Sequence, residues 1–403
     1  MKKNFLILLL TVFIDFIGVG LVIPIFAPLF LSNTSSLFDV NTPENIRNIL
    51  LGLTLSTFPF FQFFGAPILG SLSDKYGRKK LLFISLFGTF LGYLLMIIGI
   101  TQNNFALILI SRMIDGFTGG NISVATSAIS DISNPEDKTK NFGLLGAIFG
   151  ICFIIGPLLG GVLSSSEINP FFNLATPFIA AATLSFINLV LVGTLFKETL
   201  LTRIEKTVSV TSGIRNLKKA FTSEKFQILF LVIFLTTTGF SFFTTFFQAY
   251  LVNKFNFSEL EIGQLFGYIG LWIAFTQGFL IRKIPSKFSP KKIFWSMSFV
   301  LGICLLLLVL PTERFYLYFI LPILAISNGL LGPNYQAILS NTADENAQGE
   351  IFGLNNSVQA LGVSIAPLIS GVLFSFSNSL PLIISSLLTI VAGVIFKIKY
   401  GHK

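Results

Sequence analysis

Three ionisable residues lie within apolar stretches of the sequence, where a charge is costly. Asp15 is ten residues into the stretch 5–31, so at about 1.5 Å per helical residue it lies near the middle of a membrane. Arg112 and Asp115 are three residues apart in the stretch 105–130, which puts both on one face of a helix. A charge at such depth costs roughly 2.5–3.5 kcal/mol, so the residues predict either an ion or substrate path or a local ion pair.

Proton transfer is the chemistry that these three residues offer. Removal from water favours the protonated form of a carboxylate, and a nearby arginine favours its charged form. Movement of Arg112 relative to Asp15 or Asp115 would therefore load or release a proton. No other carboxylate is expected to be buried in the helices, so we predict a proton-coupling site formed by Asp15, Arg112 and Asp115. Whether Asp115 couples protons or only neutralises Arg112 stays open.

The elements that must position these residues are membrane helices. Of the 403 residues 53% are hydrophobic and 11% are charged, with a mean hydropathy of +0.82. A soluble domain cannot bury that share of apolar side chains, so lipid must surround much of the chain. Apolar runs of about 20 residues predict an all-α membrane protein with twelve helices, at 5–31, 47–70, 81–101, 105–130, 141–164, 173–196, 226–252, 259–281, 293–311, 316–339, 351–375 and 380–397. The first run is longer than the about 7–15 residues of a signal peptide core and is expected to be retained.

The positive charges predict the orientation of the chain. Alternate gaps between the helices, beginning with the N-terminus, hold 23 of the 27 lysines and arginines. The opposite gaps hold only Arg47, Lys254 and Arg314. Because cytoplasmic loops carry the excess of such residues, both termini are expected in the cytoplasm, with the protein in the cell (inner) membrane. The formal net charge of +9 comes from these cytoplasmic lysines and arginines and does not indicate nucleic-acid binding.

Residue supply excludes several enzyme classes. His402 is the only histidine and stands at the C-terminus, so a histidine general base or a zinc site is excluded. Cys152 and Cys304 lie in separate apolar helices and are interpreted as small core residues rather than a disulfide or metal pair. We expect a protein that is not an enzyme, holds no metal and needs no cofactor beyond a proton gradient as its energy source.

A repeat divides the chain into two halves. A shift of 210 residues brings predicted helix five onto predicted helix eleven, matching Phe142-Gly143 to Phe352-Gly353 and Pro157 to Pro367. We predict two pseudo-symmetric six-helix bundles, 1–196 and 226–403, joined by a polar cytoplasmic linker, 197–225. Six helices per half keep the same orientation, so the repeat is parallel, with its axis along the membrane normal. In the second half the loop "RKIPSKFSPKK" keeps Lys287, Lys291 and Lys292 but has no aspartate. The duplication favours a transporter.

The short loop "GSLSDKYGRKK", residues 70–80, joins the second and third predicted helices. Gly77 permits a backbone conformation closed to other residues, which allows a tight junction. Asp74 offers a carboxylate to Arg78 and to nearby helix N-termini. A loop that only sets topology would explain the lysines, but it would not explain Asp74, Gly70 and Gly77.

This loop resembles the signature loop of the major facilitator superfamily. "LISRMIDGFTGG", with Arg112 and Gly116, is similar to the family's arginine-containing motif, and "GAIFGICFIIGPLLGG" resembles the motif of the drug:proton antiporter branch. "DFIGVGLVIPI" and "QFFGAPILGSLSDKYGR" are similar to tetracycline-type exporters. The resemblance implies a conformational latch that holds the outward-open state. Its residues are Gly70, Asp74, Gly77, Arg78 and Asp131.

The antiporter motif lies in predicted helix five. Its small residues let helices approach closely, and Pro157 removes one backbone hydrogen bond and kinks the helix. Ordinary helix packing is the alternative explanation. The resemblance implies a dry seam that prevents proton leak and distinguishes exporters from symporters. The residues of the motif are Gly146, Gly150, Gly156, Pro157, Gly160 and Gly161.

The sequence also departs from the tetracycline exporters. These carry an acid in helix three, a histidine in helix eight and an acid in helix nine, and all three are missing here, which makes a metal–tetracycline chelate a doubtful substrate. Uncharged polar residues within the helices are candidates for the substrate cavity, with the second-half set favoured; each alternatively bridges helices by hydrogen bonding. The candidates are Gln62, Asn121, Gln248, Gln277, Asn328, Asn334, Gln336, Asn355 and Gln359.

The sequence therefore predicts a secondary transporter that exports a small amphipathic compound or drug in exchange for protons by alternating access. A metabolite or siderophore carrier of the same superfamily, working in either direction, is the second interpretation. A membrane receptor or scaffold that kept the fold and lost transport is the third, and the Asp15–Arg112 pair argues against it. The expected partners are a small-molecule substrate, protons and the bilayer, with the protein as a monomer and without nucleic acid.

Overall fold

A computed structural model describes residues 2–32, 35–39, 41–133, 135–200, 212–283, 288–344 and 348–401. His402 and Lys287, singled out in the sequence, lie outside these ranges. The described part of the chain is helical and contains no strand. The α-helices are α1 Lys2–Leu21, α2 Ile23–Leu31, α3 Glu44–Tyr76, α4 Arg78–Thr101, α5 Phe105–Thr118, α6 Asn121–Ile132, α7 Pro135–Ser164, α8 Thr176–Leu195, α9 Ser212–Thr222, α10 Gln227–Phe255, α11 Glu259–Phe275, α12 Ile281–Lys283, α13 Pro290–Leu307, α14 Leu317–Thr342, α15 Gln348–Phe376 and α16 Leu380–Tyr400.

All twelve predicted segments are helical, which confirms the predicted fold class, but three of them are interrupted. The first breaks at Val22, just before Pro24, because proline has no N–H to donate in the helix. The fourth breaks at Gly119 and Gly120, between α5 and α6. The eighth passes through a π-helix, Thr276–Leu280, before α12. Hydropathy detects the length of an apolar run and does not detect such breaks.

Nine helical spans in the described part of the chain are long and apolar enough to cross a membrane. The spans in α5–α6 and α11–α12 fall short because the breaks divide them, and the apolar part of α7, Ile148–Ser164, is shorter. The protein is a multi-pass membrane protein. The predicted linker 197–225 contains one further helix, α9, which the search for runs of about 20 apolar residues did not detect because α9 has only 11 residues.

The chain forms two compact units. Unit 1 comprises Met1–Thr42, Thr57–Gly213 and Ser258–Gly267, and unit 2 comprises Pro43–Ser56, Ile214–Phe257 and Tyr268–Lys403. In unit 1 a core from α1, α4, α6 and α8 includes the fully buried Leu8, Leu82, Ala128 and Val192. In unit 2, α10 and α13 both pack against α16.

The 210-residue repeat appears again as a pair of close helix contacts. In unit 1, a Cβ on Gly161 of α7 would lie 2.7 Å from the Glu259 carbonyl oxygen of α11. In unit 2, a Cβ on Gly371 of α15 would lie 2.7 Å from the Asn48 carbonyl oxygen of α3. Gly161 and Gly371 are equivalent in the repeat, so both halves use the same position for a backbone approach that only glycine allows.

Candidate functional site

The site in unit 1 centres on the ion pair of α5. Arg112 Nη1 lies 3.3 Å from Asp115 Oδ2, and both side chains are buried. The guanidinium carbon lies 4.5 Å from the ring centre of Phe58 and 5.7 Å from that of Phe26. Arg112 Nε has no hydrogen-bond partner. Aromatic rings thus supply two of the contacts of this buried cation, in the geometry of cation–π interactions.

Asp15 of α1 is buried near this pair, and no ion pair joins it to Arg112 in the described part of the chain. The Asn121 amide of α6 lies beside its carboxylate. Among the described residues, neither polar atom of Asn121 has a hydrogen-bond partner within bonding geometry, and Asp15 Oδ2 has none. Asp15 is therefore a buried carboxylate with an oxygen free to receive a proton or a ligand.

A small cavity brings the two carboxylates together. Asp15 and Asp115 both line it, with Tyr93, Thr89 and Gln62 among the other lining residues. The cavity offers about 10 Å³ to the centre of a water molecule, which is about the space that one water needs. The polar side chains of the lining are interleaved with the apolar Val19, Phe58 and Ile122. A single water in this cavity would lie beside both carboxylates that the sequence predicted for proton coupling.

Tyr93 of α4 is the main member of this site that sequence reasoning missed. Its side chain is buried, and its hydroxyl occupies the space that a Cβ on Gly18 of α1 would fill. The Thr89 hydroxyl, one turn earlier in α4, lies 3.2 Å from that of Thr118. The only signal in the sequence was a tyrosine in an otherwise apolar helix, and membrane helices contain many such tyrosines for packing alone.

The side chain of Asp115 also contacts α4, a helix that contains no acidic residue. A Cβ on Gly92 of α4 would lie 3.0 Å from Asp115 Cβ. The predicted third helix, which is α4, carries no carboxylate, in contrast to the tetracycline exporters. The side chain of Asp115 packs against α4 at Gly92 through its Cβ atom.

The loop between α3 and α4 forms a second polar cluster. Arg78 is buried; its Nη1 lies 2.7 Å from Asp74 Oδ1, and its Nε donates to Asp131 Oδ2 at 3.0 Å. Nη1 also donates to the Ser73 hydroxyl at 2.5 Å. The structure therefore brings together Asp74, Arg78 and Asp131, which the sequence predicted as one network, while Gly70 lies nearer Ser123 of α6.

Glu198 completes this cluster and was not predicted. Its carboxylate accepts hydrogen bonds from the backbone N–H groups of Arg78, at 2.9 Å, and Lys79, at 3.2 Å. An acid at this place suits the first turn of α4, where N–H groups lack partners within the helix. Gly77 has φ +101°, and a Cβ there would collide with the Glu198 carboxylate. The sequence did not indicate this contact, because Glu198 is 120 residues from Arg78.

The glycines of α7 contact two neighbouring helices. Gly156 packs against Gly20 of α1, where a Cβ would lie 2.8 Å from the Gly20 Cα. Pro157, inside α7, presents its carbonyl oxygen 2.5 Å from a Cβ built on Gly263 of α11. Gly160 approaches the Leu21 carbonyl of α1, and Gly150 is buried, whereas Gly146 is helical and its surroundings lie outside the description.

Among the remaining polar candidates, Gln62 belongs to this site, whereas the others named here do not line its cavity. Gln62 lines the cavity and donates to the Gly119 carbonyl oxygen at 3.0 Å. In unit 2, Asn334 donates to Leu330 O of its own helix and Gln248 to Thr245 O, while Asn355 is buried with an unpartnered Oδ1. The others are partly buried or exposed: Gln277, in the π-helix, with Asn328, Gln336 and Gln359.

Buried ionisable side chains among membrane-spanning helices are typical of polytopic transporters. The chain belongs to the Major Facilitator Superfamily, whose family model matches residues 8–367. It is 32% identical to the tetracycline resistance protein, class H, of Pasteurella multocida over 92% of this chain and 88% of that protein. It is 29% identical to the quinolone resistance protein NorA of Staphylococcus aureus (strain COL) over 92% of this chain and 90% of that protein.

Solved structures share the fold. The human organic anion transporter MFSD10 (TETRAN) matches with a TM-score of 0.71 at 21% identity, covering 98% of this chain and 99% of that chain. A D-xylose-proton symporter matches with a TM-score of 0.79 at 13% identity, covering 98% of this chain and 97% of that chain.

Proposed function

We propose that the protein is a proton-coupled antiporter that exports a small amphipathic compound by alternating access. The observation that carries the proposal is that two buried carboxylates, Asp15 and Asp115, line one cavity, with Arg112 paired to Asp115. The names of the relatives, which are tetracycline and quinolone resistance proteins, support export of drug-like molecules.

The geometry of the ion pair supports the proposed coupling step. Arg112 holds Asp115 through one contact of 3.3 Å, and Phe58 and Phe26 restrain the guanidinium. A shift of α5 against α1 that moved Arg112 towards Asp15 would stabilise the charged form of that carboxylate and release its proton. The reverse shift would favour proton uptake. Substrate that binds one of the two states more tightly would bias the same equilibrium, which couples the two movements.

The cluster around Arg78 is proposed as the latch of one conformational state. A charge network at a junction of two helices favours one of two packings by a few kcal/mol when water is partly excluded. Arg78 is 6% exposed, and its partners Asp74 and Asp131 are 21% and 24% exposed, so the network is shielded on one side only. Glu198 adds to the latch by fixing the first turn of α4.

The proposal also covers the membrane topology and the close helix contacts of the antiporter motif. We propose two six-helix halves, 1–196 and 226–403, with both termini in the cytoplasm of a cell whose inner membrane holds the protein. The tight contacts of Gly156 and Gly161 support a seam that excludes water, and the polar residues of unit 2 such as Asn355 are proposed to bind substrate. The protein works without a cofactor.

The test of this function is proton movement in reconstituted vesicles. Purified protein is placed in vesicles with a pH-sensitive dye, and a panel of amphipathic antibiotics and dyes is added without an imposed gradient. We expect at least one compound to drive proton flux in the direction opposite to its own movement. Compound flux without proton flux would overturn the coupling, and proton flux in the same direction as the compound would indicate a symporter.

Replacement of Asp74 tests the latch. Asp74→Asn removes the charge that lies 2.7 Å from Arg78, and a hydrogen bond to a charged group contributes about 1.5–3 kcal/mol. We expect turnover to fall roughly tenfold with normal membrane insertion, because the lysines that set topology remain. Glu167→Gln, a change at an exposed acid, is the matched control. Parental turnover in Asp74→Asn would refute the latch.

A further inference from the structure

Helix α9 has a face whose side chains are exposed in the described chain. The helix packs through one side, where Leu217 is half-buried and Ala220 is fully buried. At 100° per residue, Ile214 and Phe221 lie together on one flank of that side, and Lys218 and Arg215 continue around the helix. Ile214, Arg215, Lys218 and Phe221 are all exposed, Ile214 by 54%. These four residues are called the 214–221 face below.

The contacts of α9 place it where two membrane helices begin. Lys219 forms an ion pair with Glu350, at the start of α15. The ring of Phe221 lies 6.2 Å from that of Phe234, which is in the second turn of α10. Both α10 and α15 belong to the spans that are apolar enough to cross a membrane. Helix α9 therefore lies beside the N-terminal ends of two membrane-spanning helices, the level at which such a span would pass the lipid headgroups.

The charges of this face have no ion-pair partner among the described residues. Neither Arg215 nor Lys218 has an acidic residue within ion-pair distance in the described part of the chain, whereas their neighbours Lys219 and Lys225 pair with Glu350 and Asp344. Two exposed apolar side chains beside two unpaired cations form the pattern of a helix that lies in a membrane interface. Anionic headgroups complement the cations, and the upper acyl chains complement Ile214 and Phe221.

We propose that the 214–221 face binds the anionic phospholipids of the membrane that holds the protein. The binding would fix the segment that connects α8 to α10 on the bilayer surface. Neither the proton-coupling residues nor the cluster around Arg78 takes part in it, so the proposal stands independently of the transport activity.

A fluorophore at position 214 tests the proposal. Ile214→Cys is labelled with a solvatochromic maleimide; both native cysteines are buried, and the labelled parent chain gives the background. The protein is reconstituted in vesicles of phosphatidylcholine alone or of phosphatidylcholine with phosphatidylglycerol. We expect a blue-shifted emission, quenched by lipids brominated in their acyl chains, and a larger shift in the anionic vesicles.

Removal of the two positive charges tests whether the lipid must be anionic or whether the face is only buried among acyl chains. Each basic residue near an anionic surface strengthens binding to that surface by a factor of about five. Arg215→Gln with Lys218→Gln is therefore expected to weaken the binding of the face to anionic lipid roughly 25-fold, which should reduce the difference in emission between anionic and neutral vesicles. High salt should have the same effect. Lys291→Gln with Lys292→Gln, which removes two charges elsewhere, is the matched control and should leave the emission unchanged.

Three results would overturn the proposal. An emission typical of water in both kinds of vesicle would show that the face does not touch lipid. An equal shift in neutral and anionic vesicles, unaffected by Arg215→Gln with Lys218→Gln, would exclude anionic lipid as the ligand. A shift that disappears when the protein is diluted in lipid would show that a second copy of the chain covers the face.

Discussion

Asp15→Asn is expected to abolish proton-driven transport against a gradient while substrate binding persists. The amide keeps the size of the side chain in the cavity and still forms hydrogen bonds, but it cannot take up and release a proton. The measurement is proton release on substrate addition to reconstituted vesicles over a pH series. We expect the loss to approach the detection limit, since the carboxylate that changes charge is gone. Glu167→Gln, at an exposed acid, should behave as the parent.

Two companion variants decide the role of Asp115. Arg112→Ala leaves Asp115 without its cation and empties the space beside Phe58, so we expect poor folding as well as lost coupling. If Asp115 only neutralises Arg112, Asp115→Asn should lose stability before it loses proton flux. If substrate-driven proton flux were unchanged in both Asp15→Asn and Asp115→Asn, neither carboxylate of the cavity could carry the proton, and antiport would have to be abandoned.

Gly18→Ala is expected to destabilise the protein, and Tyr93→Phe should restore much of the loss. The added methyl group would occupy the place of the Tyr93 hydroxyl, whereas the next ring atom, Cζ, lies 3.0 Å from it. Overpacking of this kind costs about 1–3 kcal/mol. Removal of the hydroxyl in the double variant relieves the worst contact. The measurement is the thermal unfolding of the purified protein in detergent, with transport assayed in parallel.

Gly332→Ala is the matched control for this series, because a Cβ there meets nothing within 4 Å. It should leave stability unchanged or slightly raised. A Gly18→Ala variant as stable as Gly332→Ala would contradict the packing of Tyr93 against α1. A double variant no better than Gly18→Ala would assign the strain to the backbone instead of the hydroxyl. Tyr93→Phe alone reports on the hydroxyl: reduced proton flux with normal stability would add it to the coupling site.

The sequence was most informative where one residue type is costly in one environment. Charges are rare in lipid, so Asp15, Arg112 and Asp115 could be found without a structure, and the structure places the two carboxylates at one cavity. Apolar length identified all twelve helical segments for the same reason. The resemblance to a known loop joined Asp74 and Arg78 to Asp131, a contact that spans 53 residues of sequence.

What the sequence could not predict depends on contacts between distant residues of ordinary type. Glu198 is one acid among several in a polar region, and only the fold brings it to the first turn of α4. Tyr93 acquires its importance from Gly18, which lies on another helix. The breaks at Gly119 and in the π-helix depend on local packing, because glycine tolerates both helical and non-helical backbone.

The contact between Asp115 and Gly92 affects how the family is compared. An acid on α5 that presses against a glycine of α4 can fill the space that an acid on α4 would fill in a relative. A sequence alignment would then record the carboxylate as lost in the chain that carries it on α5 and as kept in the relative that carries it on α4. Superposition of the carboxylates in space, rather than of the positions in the chain, is then the sound basis for deciding which exporters share a proton site.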